Sequence, residues 1–307
     1  MTPIQALKEQ LCLAGIFYQT DVPMASYTTF RIGGRAALLV EPKDEKELLI
    51  CLKQAQACDC PTLILGRGSN VLFPDEGVEA AVIRTCSLRE ISVKEQTVTA
   101  AAGASLFDVC RQALSAGLGG LEFAYGIPGT LGGALCMNAG AYGGEMQDVV
   151  ASVRVYDAQK GEIVTLDREQ MRFAYRYSTL LGSPHLTALS ATLELQKQDK
   201  AVIEQHMQEY MSRRQQKQPL DLPSAGSVFK RPEGHFAGAL IEQSGLKGTR
   251  IGGAMVSPKH AGFIVNVGGA TAQDVLRLID RIQRTVYQDH GVALETELQI
   301  LTRFLAR

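Results

Sequence analysis

The stretch Tyr125–Glu145 reads YGIPGTLGGALCMNAGAYGGE. Ten of the chain's 30 glycines fall between Gly117 and Gly144, so glycine is concentrated here. Glycine permits positive φ and lets backbone approach a ligand closely. Successive N–H groups in such a loop can also form an anion-binding concavity. Taken alone, a glycine pair is as readily a tight structural turn. A second cluster, LGRGSNVL (Leu65–Leu72), directly follows an expected strand at Pro61–Leu65. Gly66–Val71 supplies two glycines of G-x-G-x-x-G and lacks the third, and no G-x-x-x-x-G-K-[ST] occurs. Two long small-residue loops point to a large phosphate-bearing cofactor, held without a dinucleotide fingerprint or a P-loop.

Outward from these loops, helical and strand signals alternate, which predicts an α+β or α/β chain. Asp44 and Glu47 form a capping box ahead of ELLICLKQAQA, with apolar residues at helical spacing. PTLIL (Pro61–Leu65) reads as a buried strand. ISVKEQTVTAAA (Ile91–Ala102) and VVASVRVYDAQKGEIVTL (Val149–Leu166) read as hairpins. Ser105 with Asp108 opens a helix that Gly117 ends, and HLTALSATLELQ (His185–Gln196) is a strand. A polar helix runs from about Lys200 to Gln218 and stops at Pro219. Beyond it come a helix at FAGALIEQSG, the strand GFIVNV (Gly262–Val267) and a helix capped by Thr271 and Asp274. The closing strand is LETELQIL (Leu294–Leu301), on which Glu295 and Glu297, two apart, would share a face.

The 307 residues, 46% hydrophobic and 21% charged, suit a globular protein of two or three domains. A net charge of −1 gives no global attraction to nucleic acid or an anionic membrane, so anions must be met by local clusters. The N-terminus lacks the pattern of a signal peptide and no apolar run has bilayer length, so a cytoplasmic location is expected. All seven cysteines lie between Cys12 and Cys136, and the CxC at Cys58 and Cys60 has poor zinc spacing. Reduced cysteines packed as small hydrophobes are expected, with no metal site.

Seven motifs then occur in a telling order: YTTFRIGG (Tyr27–Gly34), GRGSNVL, IPGTLGGALCMNAGAYGGE, FAYRYSTL, PSAGSVFKRP, VSPKHAGFIVN and LETELQI. Together the sequence resembles the UDP-N-acetylenolpyruvoylglucosamine reductase (UDP-N-acetylmuramate dehydrogenase) family over about residues 27–301. The resemblance implies two FAD-binding subdomains of the vanillyl-alcohol-oxidase (PCMH) type and a C-terminal α+β substrate-binding domain. Placed on this chain, these are expected at 1–84, 85–199 and 200–307. It also implies the reaction: NADPH reduces FAD, and the reduced flavin converts UDP-N-acetylglucosamine enolpyruvate to UDP-N-acetylmuramate for peptidoglycan synthesis. The short interval between Arg176 and Ser227 matches the subclass without a substrate-covering tyrosine loop. No nucleic-acid or membrane partner is implied, and a monomer is expected.

Hydride delivery to the enolpyruvyl methylene carbon develops negative charge at the neighbouring carbon, which must be stabilised and then protonated. By the resemblance, Arg176 stabilises the enolate, Ser227 donates the proton and Glu297 is the acidic partner. Without the resemblance, Arg176 reads as a surface ion pair, Ser227 as a loop residue and Glu297 as a solvent-facing carboxylate. Gly66, Gly68, Ser69 and Asn70 are expected against the FAD phosphates, with Gly129, Thr130, Gly132 and Gly133. Asn138 and Gly140 are expected near the flavin ring. Lys230 is a candidate for the substrate diphosphate. His260 is as readily a structural hydrogen bond as a ligand contact. The basic run RRQQKQ (Arg213–Gln218) could face phosphate or be a solvated helix end. Arg231 stands where the family often has Asn, so no contact is carried over to it. The rival readings are another PCMH-type flavin oxidoreductase and a non-redox nucleotide-sugar-binding protein.

Overall fold

A computed structural model describes residues 1–301 of the chain; residues 302–307, the end of the expected C-terminal domain, lie outside the described residues. Three larger sheets carry the fold. A four-stranded sheet orders Tyr18–Pro23, Arg35–Val40, Val78–Arg84 and Thr62–Leu65. A five-stranded sheet orders Glu162–Asp167, Val150–Asp157, Leu186–Glu194, Thr97–Ala101 and Ile91–Lys94, antiparallel throughout. A second four-stranded sheet orders Ser224–Ser227, Phe263–Asn266, Ala254–Val256 and Arg250–Ile251.

The chain divides into two compact units, 1–19 with 38–67 and 80–214, and 20–37 with 68–79 and 215–307. The first unit holds two apolar cores. One gathers Leu7, Leu11, Leu38, Leu48, Ile83 and Tyr156. The other gathers Val98, Leu106, Val109, Leu131, Leu135 and Val153, and Ile203 and Met207 of the helix Lys200–Lys217 join it. The second unit has a core of its own. Its helix Ala272–His290 shows how the sequence builds it: Thr271 and Asp274 form a reciprocal capping box, and Gly291 ends the helix. Val275, Leu278, Ile279, Ile282 and Val286 fall on one helical stripe and are buried with Ala254, Val256 and Ile264.

Several local expectations are refined. Asp44 caps its helix, but Glu47 accepts from the Lys43 N–H at 2.9 Å, so the box closes one residue early. The strand Thr62–Leu65 lies at a sheet edge, paired in parallel only with Ala81–Arg84, and Ile64 is exposed where a fully buried strand was expected. The expected strand Leu294–Leu301 is not continuous. Only Gln299–Ile300 forms a ladder, parallel to Val71–Leu72, and Thr296 makes an isolated bridge to Phe229. The alternation expected along Leu294–Leu301 therefore does not run through one continuous strand. All seven cysteines are free thiols; burial pushes Cys51 up to about 12 and Cys60 and Cys136 to about 11. Cys12 is exposed rather than packed.

Candidate functional site

The loop Gly66–Asn70 leaves the edge strand with its amides unspent. None of the N–H groups of Arg67, Gly68, Ser69 and Asn70 donates to a protein acceptor among the described residues. Buried or half-buried amides in native structures find partners, so four in succession mark a place for an anionic ligand. Arg67 is exposed beside them, and among the described residues no carboxylate pairs with it. Gly68 is buried at φ +65°, and a Cβ there would overlap the Tyr27 carbonyl oxygen and come within 2.9 Å of Thr28 Cα. Its own carbonyl accepts from the Thr29 N–H at 3.1 Å. A Cβ at Gly66 would overlap Thr130 Oγ1. These glycines thus hold the loop against the protein while its amides stay open. That arrangement fits the diphosphate of a dinucleotide.

The larger glycine stretch is organised differently. Thr130 is buried and caps the short helix Leu131–Cys136 through Oγ1, which accepts from the Gly133 N–H. The Leu131 N–H donates to Ala104 O at 2.9 Å and the Gly132 N–H to Ala102 O at 2.8 Å. A Cβ at Gly132 would sit 3.1 Å from Ala102. These amides serve packing, as do the Gly129 N–H, which donates to Ile127 O at 2.9 Å, and its carbonyl, which accepts from the Leu106 N–H at 3.1 Å. Gly133 is exposed and Gly129 part-exposed, so what they offer a ligand is close approach. Asn138, expected near the flavin ring, is 0% exposed, so its side chain presents no surface for direct contact with a ligand. Its carboxamide is spent within the protein: Nδ2 donates to Ala174 O and to Glu145 Oε2, both at 3.1 Å, and Oδ1 accepts from the Gln147 N–H at 2.9 Å.

Arg176 sits at the tip of a tight turn. Ala174 and Tyr177 exchange two backbone bonds of 3.0 Å, and Arg176 adopts φ +55°. Its guanidinium donates to the Gly140 carbonyl at 3.5 Å and stacks over Tyr175 at 4.9 Å. The side chain is part-exposed and held, and its planar, permanently charged fork is of a kind that suits a carboxylate.

Ser227, Lys230, His260 and Glu297 belong to the second unit. Ser227 ends the strand Ser224–Ser227 opposite Phe263, after a register shift at Gly226, whose φ of +78° only glycine adopts freely. The Ser227 side chain is part-exposed, and its hydroxyl has no protein partner among the described residues. The next carbonyl, of Val228, accepts from the Glu297 N–H at 2.8 Å. Asn70 Nδ2 donates to the Glu297 carbonyl at 3.3 Å, and the Gln299 N–H donates to Asn70 O at 3.0 Å. Asn70 therefore ties the open-amide loop to the segment that carries Glu297.

Lys230 pairs with Glu295 at 3.2 Å, a part-exposed contact worth little on its own. His260 makes the structural hydrogen bond expected as one of its two readings. Its Nδ1 accepts from the Gly262 N–H at 3.1 Å, and its ring meets Phe263 edge-on. Burial, ahead of the nearby lysines Lys247 and Lys217, holds it below its ordinary 6.5 and so neutral. Arg231 stacks 4.0 Å over Phe236. In the basic run, Arg213 pairs with Glu209, while half-buried Arg214 lies against Gly126 with no acceptor among the described residues. Arg67 is the functional candidate that sequence reasoning did not single out, whereas Arg214 belongs to the basic run already expected to face phosphate or solvent. An arginine in a loop or helix gives no local sign of lacking a partner.

Known proteins resemble this chain over most of its length. Residues 36–167 match an FAD binding domain, and residues 218–301 match the UDP-N-acetylenolpyruvoylglucosamine reductase C-terminal domain. The chain is 46% identical over 296 residues to UDP-N-acetylenolpyruvoylglucosamine reductase of Clostridium perfringens, covering 95% of this chain and 97% of that protein. It is 47% identical to the Listeria innocua enzyme of that name, covering 93% and 95%. It also superposes on the crystal structure of UDP-N-acetylenolpyruvylglucosamine reductase from Thermus caldophilus with a TM-score of 0.79 at 36% identity, covering 93% and 98%. With an FAD-binding region ahead of the reductase C-terminal domain, and near-complete coverage of these relatives, the chain belongs to the UDP-N-acetylenolpyruvoylglucosamine reductase family.

Proposed function

We propose that this chain reduces UDP-N-acetylglucosamine enolpyruvate to UDP-N-acetylmuramate with NADPH as hydride donor, in the cytoplasm, as a step in peptidoglycan precursor synthesis. FAD, when bound, carries the hydride from NADPH to the enolpyruvyl group. Residues 1–84 and 85–199 form the FAD-binding subdomains and 200–307 the substrate-binding domain; each of the three larger sheets being drawn from one of these segments supports that division, while residues 200–214 pack with the first unit. The protein acts as a monomer.

The open amides of Arg67–Asn70 and the Arg67 guanidinium hold the FAD diphosphate, with Gly66 and Gly68 keeping the loop in place. Gly129, Gly132 and Gly133 form a second wall against the cofactor, shaped by the Thr130 cap. Arg176 binds the substrate carboxylate and stabilises charge as it moves toward that group, since a permanently charged planar fork suits a carboxylate. Gly140 contributes through its carbonyl, which holds the guanidinium. Ser227 Oγ–H gives the proton to the carbon beside the carboxylate. Glu297, next to it through the Val228 carbonyl, orients the substrate. Lys230 exchanges Glu295 for the substrate diphosphate, a low-cost exchange because the existing pair is part-exposed.

The observation that carries the catalytic assignment is the Ser227 hydroxyl: part-exposed, set by a glycine-dependent bend, and without a protein partner among the described residues. Ser227→Ala separates the two halves of the reaction in rapid-mixing absorbance measurements. Flavin reduction by NADPH should survive, while reoxidation by the enolpyruvyl substrate slows by on the order of 10²-fold or more, the usual contribution of general acid catalysis. Equal slowing of both halves would remove Ser227 from the donor role.

A further inference from the structure

We propose that Asn138 is a positioning residue for Arg176, its buried carboxamide fastening the turn that carries the guanidinium; this rests on the reading of Arg176 given above. The turn is Ala174–Tyr177, closed by two reciprocal backbone bonds of 3.0 Å with Tyr175 and Arg176 at its centre. Arg176 is held at φ +55°, a region that a side-chain-bearing residue leaves unless its surroundings over-determine it. Two contacts from one short segment do so. Asn138 Nδ2 donates to the Ala174 carbonyl at 3.1 Å, on one leg of the turn. On the other leg, buried Ser178 donates through Oγ to the Cys136 carbonyl at 3.0 Å.

Asn138 is itself anchored. It is fully buried at φ +41°, accepts from the Gln147 N–H at 2.9 Å and donates to Glu145 Oε2 at 3.1 Å. Glu145 in turn pairs across the short ladder with Gly140, whose carbonyl receives the Arg176 guanidinium. The turn and the guanidinium are thus both referred to the segment 136–147. The residue type follows from the geometry. Asparagine tolerates the left-handed region and offers two donors and one acceptor here. Aspartate has no donor for Ala174 and would set a second carboxylate against Glu145, and a hydrophobe would leave the Gln147 N–H unpaired.

The test uses the FAD-loaded full chain. Asn138→Gly removes the amide and accepts φ +41° without strain. Flavin reoxidation by the enolpyruvyl substrate should slow on the order of 10²-fold, as expected for a group displaced by ~1 Å. Flavin reduction by NADPH should stay within about twofold. Combined with Arg176→Lys, it should slow reoxidation no further than Arg176→Lys alone, because both changes disable one unit. Hydrogen exchange should show the Ala174 and Tyr177 amides losing protection. Equal slowing of both half-reactions, additivity with Arg176→Lys, or retained protection at those amides overturns the inference. If Arg176→Lys slows reoxidation and Asn138→Gly does not, only the positioning role falls. If Arg176→Lys leaves reoxidation unchanged, the catalytic reading of Arg176 falls instead. Should Asn138→Gly fail to fold, Asn138→Asp keeps volume and acceptor, loses the donor to Ala174, and is read by the same measurements.

Discussion

Replacing Gly68 by alanine tests whether the open-amide loop is held by contact with the protein. Two costs add. The first is backbone: at φ +65° a residue with a Cβ is disfavoured by about 1–2 kcal/mol. The second is contact: the new Cβ would overlap Tyr27 O and lie 2.9 Å from Thr28 Cα, where about 3.5–4.0 Å is comfortable. The loop or the segment 27–28 must therefore shift, and overpacking of this kind costs roughly 1–3 kcal/mol. Gly245→Ala isolates the second cost, because Gly245 has φ +68° in the same unit and nothing within 4 Å of its would-be Cβ. Backbone strain and the lowered entropy of the unfolded chain then cancel between the two variants. Gly68→Ala should be the less stable by about 1–3 kcal/mol in urea unfolding of the cofactor-free protein. Flavin titration should show weaker FAD binding in Gly68→Ala and unchanged binding in Gly245→Ala. Equal destabilisation by the two substitutions, with equal FAD affinity, would refute the contact argument and with it the role assigned to the loop.

Arg67→Gln should weaken FAD binding and reduce its salt dependence, read by titration at two ionic strengths, since an exposed cation beside a diphosphate is screened by salt. Glu295→Gln should lower the KM for the nucleotide-sugar substrate by up to about fivefold, the equivalent of a part-exposed ion pair, while Lys230→Gln should raise it. His260 is neutral in the folded protein and below its ordinary 6.5, so the unfolded chain takes up the proton first as pH falls. Its stabilising contribution is complete above about 6.5 and is lost as pH drops from there through its depressed native value; thermal midpoints of wild type and His260→Gln should converge on acidification.

What could be read from the sequence was local. The helix caps at Ser105 and Thr271, the two hairpins and the stripe Val275–Val286 depend on residues three, four or seven apart, and those signals survive in the fold. The order of the motifs along the chain carried the family and, through it, the fold and the cofactor. Partnership was a tertiary matter, because it joins residues far apart in sequence. Lys230 finds Glu295 65 residues away, Asn70 finds the Glu297 carbonyl 227 away, and Asn138 reaches Ala174 36 away. Alternation predicted one strand over Leu294–Leu301, but the segment is divided between an isolated bridge at Thr296 and a ladder at Gln299–Ile300, each to a different part of the chain. Asn138 had the composition of a ligand loop around it, and only packing made it a fully buried brace. The sequence by itself determined which chemical groups this protein owns and which short elements carry them. The tertiary structure decided which groups are already satisfied and which amides and hydroxyl, among the described residues, are left without a protein partner.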